Sequence, residues 1–135
     1  MPNFSDHSKS ELDTVHPDLR AICEAVIDTF DIRVIEGYRS KERQNKLYEQ
    51  GKSELQWPDS KHNQKPSHAV DIAPYPIDWK AHDRFYLMAG HMQQAAWHLL
   101  RRGEISNTIR WGGNWDGDHD LDDQAFDDLP HVELA

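Results

Sequence analysis

Two histidines and an aspartate, His62, Asp71 and His131, form the set of residues in this chain whose types could support hydrolytic chemistry. Two imidazoles and one carboxylate suit a catalytic zinc ion, because three protein ligands leave the fourth tetrahedral position for water. Asp128 precedes His131 by three residues, with Pro130 between them. A carboxylate so placed is suited to take a proton from water activated by the metal and to return it to a leaving amine. The alternative role for Asp128 is a turn cap inside an acidic segment. His68 lies closer in sequence to Asp71 than His62 does, yet strand alternation gives it the parity of Val70 and Ile72 and turns it to the opposite face. His16, His82, His91, His98 and His119 read as surface or helix-face residues.

These ligands need stiff elements to hold them. Ala69–Ala73 reads as a strand that puts Val70 and Ile72 on one face and Asp71 on the other. His131–Leu134 reads as a second strand, Thr108–Trp111 as a third and Ile32–Glu36 as a fourth. Ser8 or Ser10 is expected to cap a first short helix. Pro17 suits the first turn of a second helix, which carries Leu19, Ile22, Cys23, Val26, Ile27 and Phe30 at helical spacing. Ser40 can cap a helix running through Tyr48 that Gly51 terminates. Asp78 can cap the main core helix, which turns Phe85, Met88, Ala89, Met92, Ala95, Ala96, Leu99 and Leu100 inward and ends at Gly103. Residues 52–67 are polar, contain Pro58 and Pro66, follow neither period, and are expected to form a long functional loop bearing His62. The pattern predicts a small α+β domain, with helices packed on a short antiparallel sheet and no repeat or linker.

The chain has 135 residues, enough for one compact domain spanning residues 1–135. Of its 24 acidic residues, eight fall between Asn114 and Glu133, a stretch without Lys or Arg, and the remainder nearly balance the 15 basic residues. An acidic chain of this kind is not expected to bind nucleic acid, whereas a local acidic cluster favours a cation. Asn114, Asp116, Asp118 and Asp120 offer hard oxygen donors that suit calcium better than zinc, although an EF-hand frame begun at Asn114 puts His119 where glycine belongs and Ala125 where the bidentate Glu belongs. Cys23 is the only cysteine, so no intramolecular disulfide can form, and its apolar neighbours mark it as core. The first twenty residues carry charges and no apolar run, so no secretory signal and no membrane insertion are expected.

Four segments together resemble a known family: Glu36-Gly-Tyr-Arg-Ser40 with Gln44 and Leu47-Tyr48; Ser60-Lys-His-Asn63 with Pro66-Ser67 and Ala69-Val-Asp71; Arg110-Trp-Gly-Gly113; and Asp128-Leu-Pro-His-Val-Glu-Leu134. The family is that of the zinc D-alanyl-D-alanine carboxypeptidases and L-alanyl-D-glutamate endopeptidases, and within it the small phage endolysins. The family's common pattern spaces its His and Asp by seven with an intervening glycine, whereas here the interval is nine and contains Lys65-Pro66-Ser67.

The resemblance implies the compact fold shared with the hedgehog signalling domain, with functional segments at residues 36–73 and 108–135. It implies His62, Asp71 and His131 as zinc ligands, Asp128 as catalytic base, and Arg39 facing the substrate carbonyl. Ser60 would lie at the substrate-binding edge or cap its loop, and Tyr38 beside Arg39 would contact substrate. The implied activity is hydrolysis of the peptide stem of bacterial peptidoglycan at the L-alanyl-D-glutamate bond. A comparable calcium loop in some phage relatives would let calcium order the approach to Asp128. A monomer is expected, held in the host cytoplasm until a holin-type protein admits it to the periplasm and cell wall. Two other readings are a D-alanyl-D-alanine carboxypeptidase of the same chemistry and, from a different class, a non-catalytic cell-wall or calcium-binding module.

Overall fold

The computed structural model describes residues 3–113 and 128–135. Its elements run α1 (Asp6–Leu12), α2 (Pro17–Ile27), β1 (Ile32–Glu36), α3 (Lys41–Glu49), a 3₁₀ turn (Lys61–Asn63), β2 (Ala69–Pro74), α4 (His82–Arg101), β3 (Ile109–Trp111) and β4 (His131–Leu134). The strands form an antiparallel sheet in the order β1-β2-β4-β3. The expected α+β architecture is therefore present.

The sheet has two chemically distinct faces because its side chains alternate. Val34, Val70, Ile72, Val132, Leu134, Ile109 and Trp111 are buried in the apolar core, which they share with Leu19, Ile22, Cys23 and Val26 of α2 and Phe85, Met88 and Met92 of α4. The opposite face carries Asp71, His131 and Glu133 as near neighbours. Asp71 is the direct cross-strand partner of His131, and Arg110 is that of Glu133. A register shift between Val34 and Glu36 brings Glu36 opposite Asp71. One extra residue at a bulge re-aims the side chain that follows it, and here it adds a glutamate to the polar row.

Sequence signals and structure differ at several helix starts. Ser5, rather than Ser8 or Ser10, caps α1 by accepting from the Ser8 backbone N–H. Ser8 is fully buried instead, and its Oγ accepts from Val34 N at 2.9 Å, so α1 covers the outer edge of β1. The α2 cap is His16, whose Nδ1 accepts from Asp18 N. Asp78 does not cap α4. It accepts from Lys80 N in the preceding turn, and α4 begins at His82 after Ala81 with no side-chain cap. Phe30 lies beyond the end of α2 and is only partly buried, and Ala95 and Leu100 are likewise partly buried. The 52–67 segment is not wholly irregular. Ser60 and Asn63 form a reciprocal capping box around the 3₁₀ turn that carries His62.

Candidate metal centre

The three proposed ligands arrive from different parts of the chain and meet at one point. Asp71 and His131 stand opposite each other on β2 and β4, so their side chains leave the same face of the sheet. His62 is delivered above them by the capped 3₁₀ turn, which is tied down by Arg39 N donating to His62 O at 2.8 Å and Asn63 Nδ2 donating to Arg39 O at 3.1 Å. His62 Nε2 lies 3.3 Å from Asp71 Oδ1 and 3.3 Å from His131 Nδ1, and His131 Nδ1 lies 3.2 Å from Asp71 Oδ1. The three atoms form a nearly equilateral triangle. A tetrahedral ion with ligand bonds of about 2.0 Å has donor–donor edges of about 3.3 Å.

The far nitrogens of both rings fix which nitrogen is left to face the centre. His62 Nδ1 lies 2.7 Å from the Gly37 carbonyl oxygen, which can only accept, so the proton is on Nδ1 and Nε2 presents a lone pair. His131 Nε2 donates to Glu133 Oε1 at 2.8 Å and leaves Nδ1 facing Asp71 and His62. With Nδ1 unprotonated, two lone pairs and a carboxylate oxygen converge in a buried place and repel one another, so either a proton or a metal cation must lie among them. The donor set therefore fits a divalent metal, with the hydrogen-bonded carbonyl and carboxylate fixing ring orientation from behind.

Electrostatics around the triangle agree. Burial alone would raise the Asp71 carboxyl, but His62 and His131 outweigh it and hold its pKa well below the ordinary aspartate range. Burial pulls His131 down, yet hydrogen bonds to Asp71 and Glu133 prevail and raise it to about 9 without a bound cation. A proton on Nδ1 thus occupies the place a metal would take. Glu133, opposed by its own burial, is lowered to about 2 by His131 and Arg110. Lys61 joins the same carboxylate at 3.2 Å and also donates to the Leu134 carbonyl.

Asp128 occupies the remaining side. Its Oδ2 lies 4.0 Å from His131 Nδ1, outside direct hydrogen-bond range and within reach of a bridging water. Burial, reinforced by the Asp71 carboxylate, raises its pKa. Backbone geometry keeps it there: Asp128 N donates to Gly112 O, Gly112 N to His131 O, and His131 N to Asp128 O. A Cβ at Gly112 would collide with the Asp128 carbonyl oxygen, so the glycine permits the close approach of these strands.

A cleft of about 470 Å³ opens over this group, and its walls include Arg39, Ser60, Arg110, Asp128 and Glu133. Arg39 is nearly buried; its Nε and Nη2 bind Glu36 Oε1 at 3.0 and 2.9 Å, Nη1 binds Gln44 Oε1 at 3.0 Å, and Nη2 reaches Asp71 Oδ2 at 3.5 Å. Ser60 has both a capping role and a place on the cleft wall. Tyr38 sits off the cleft, its ring under the Lys65 ammonium. His68 turns away as strand parity expects and packs edge-on against His16. Asn114, Asp116, Asp118 and Asp120, together with His119, lie outside the described residues.

Sequence reasoning gave no separate role to Glu36, Gln44, Lys61 or Glu133, although all four stand in the quoted motifs. Their signal was a polar residue at strand parity or on a helix that should be exposed. Gln44 is fully buried, accepting from Arg39 and Asn63 and donating to Ser53 Oγ and the Leu55 carbonyl.

The fold and the triangle define a small α+β protein built around a His–Asp–His group able to hold a metal ion. A family model described as phage L-alanyl-D-glutamate peptidase matches residues 2–135, and the chain belongs to that family. Among solved structures, the crystal structure of the Serratia marcescens L-Ala D-Glu endopeptidase ChiX is similar, with a TM-score of 0.74 and 27% identity over 98% of this chain and 90% of that one. No curated protein sequence matches the chain. The resemblance read from the four motifs is therefore correct at the level of family, fold and enzyme class. No helix among the described residues is long and apolar enough to cross a membrane.

Proposed function

We propose that the protein is a zinc endopeptidase that cuts the L-alanyl-D-glutamate bond of the peptidoglycan stem as a phage lysis enzyme. The observation that carries this reading is the triangle of His62 Nε2, Asp71 Oδ1 and His131 Nδ1, with both histidine tautomers fixed from behind. Zinc held there would supply Lewis-acid polarisation of a carbonyl and a lowered pKa for water. Asp128, with its raised pKa, takes the proton from the attacking water and returns it to the departing amine. Arg39 is held rigid by Glu36 and Gln44 and brings positive charge beside the position where the carbonyl oxygen becomes an anion. Ser60 lines the approach of the peptide.

Delivery to the wall after a separate membrane-permeabilising protein acts, and action as a monomer, belong to the same proposal. Calcium binding by the segment around Asp116 and Asp118 rests on its density of oxygen donors. Metal analysis of the purified protein combined with mass spectrometry of digested peptidoglycan tests the central claim. One zinc per chain and new termini at L-alanine and D-glutamate are expected, and both should disappear with chelator. Release of free D-alanine alone would identify a carboxypeptidase, and undiminished lysis in chelator would overturn the zinc mechanism.

A further inference from the structure

The proposed reaction leaves two cleft cations, Arg43 and Lys52, without a task. Lys61 and Arg110 are bound to Glu133, and Arg39 is bound to Glu36, Gln44 and Asp71. Arg43, on the first turns of α3, also lines the cleft. Its Nε donates to Glu36 Oε2 at 3.1 Å, while Nη1 and Nη2 have no partner among the described residues. Glu36 thus holds two guanidinium groups, Arg39 on one oxygen and Arg43 on the other, and its single charge neutralises only one of them. The Nη1–Nη2 edge of a guanidinium fixed at Nε is a ready-made fork for a second carboxylate.

The substrate's chemistry supplies such a group. A glutamyl residue that passes the chain on through one carboxyl keeps its other carboxyl as a free anion. The scissile bond joins the alanine carbonyl to the nitrogen of that same residue, so its free carboxylate lies a few bonds from the reacting centre. Arg39 and Arg43 are likewise neighbours through one bridging carboxylate. The geometry points to Arg43 as the specificity-determining residue that recognises the free carboxylate of the D-glutamyl residue, a role that rests on the L-alanyl-D-glutamate assignment. Lys52, also on the cleft wall, offers only a point charge with no planar fork.

Two synthetic stem peptides separate the possibilities, one with the D-glutamyl carboxylate free and one with it converted to the primary amide. The zinc-loaded enzyme is expected to favour the free acid by about tenfold or more in kcat/KM. Arg43→Gln should bring that ratio close to one, Arg43→Lys should restore part of it, and Lys52→Gln should keep it. Because each ratio is taken within one preparation, a partly unfolded variant does not alter it. Equal turnover of both peptides by the parent enzyme, or an undiminished ratio in Arg43→Gln, would overturn the assignment to Arg43 while leaving the endopeptidase reading intact. Cleavage of neither peptide would instead overturn the bond assignment, and this inference with it.

Discussion

Asp71 and His131 are direct partners across the β2–β4 ladder, and the atoms they would offer a metal, Oδ1 and Nδ1, lie 3.2 Å apart. Cross-strand pairing is the shortest and stiffest way to bring two residues sixty positions apart onto one ion. The ladder sets their spacing before any metal arrives, and only His62 depends on a loop for its position.

That preorganisation leaves a proton where the metal would bind. His131 is raised to about 9, because its hydrogen bonds to Asp71 and Glu133 outweigh the opposing effect of burial. The imidazole is therefore protonated below that pH in the absence of a cation, and zinc must displace the proton. At pH 7 zinc binding should release close to one proton from His131, a contribution that fades as pH rises through about 9. Calorimetry in two buffers of different ionisation enthalpy reads this directly; proton uptake, or no exchange at pH 7, would contradict it.

Glu133 should act on the metal through His131. Replacing it with Ala removes the acceptor of the His131 Nε2 proton and is expected to weaken zinc binding by about 10- to 100-fold. Glu133→Gln should be milder, since an amide oxygen still accepts. Competition with a chromophoric chelator provides the measurement, and unchanged affinity in the Ala variant would show that the ring is held by packing alone.

Asp128→Asn should lower kcat by about 10² to 10⁴ while zinc content stays near one per chain. The sign of its effect on stability is opposite. Burial and the Asp71 charge raise the Asp128 carboxyl, so ionising it in the folded state costs stability as pH rises above the unfolded value. With chelator present, the Asn variant should melt higher than the parent at pH 7, and the gap should close in acid below both pKa values. A variant that melts lower at pH 7 would mean that the charged carboxylate stabilises the fold.

Gly112→Ala tests the strand geometry behind the same residue. The added methyl meets the Asp128 carbonyl oxygen, which is backbone and cannot swing aside. A loss of about 2 kcal/mol or more is expected, together with reduced activity. Denaturant titration checks it, and a neutral result would mean that the 128–131 turn can shift freely.

Asp18 adds to acid sensitivity at a place far from the cleft. Burial opposes its ionisation, but hydrogen bonds from Ser106 N, Asn107 Nδ2 and Asn107 N prevail and lower its pKa. Its contribution is complete above the unfolded value and is lost as pH falls through the folded one. Asp18→Asn should cost about 1 kcal/mol at pH 7 and show a shallower stability loss in acid than the parent. Parallel pH–melting curves for the two proteins would remove Asp18 from the account.

The amino-acid order alone predicted the four strands and four helices found among the described residues, the family, and the three side chains of His62, Asp71 and His131 that the fold brings together. Period-2 alternation in 69–73 and the Asp-Leu-Pro-His run are local patterns, and they survive folding because side-chain direction follows directly from backbone pitch. Strand parity also excluded His68 correctly. The strand order was a different matter, since the β1-β2-β4-β3 arrangement and the register pairing Asp71 with His131 depend on contacts between distant segments. So did the bulge that places Glu36 opposite Asp71, the tautomers fixed by the Gly37 carbonyl and Glu133, and the burial of Ser8 and Gln44. A polar side chain reads as exposed in sequence because its buried partner lies elsewhere in the chain, and only the assembled fold supplies that partner.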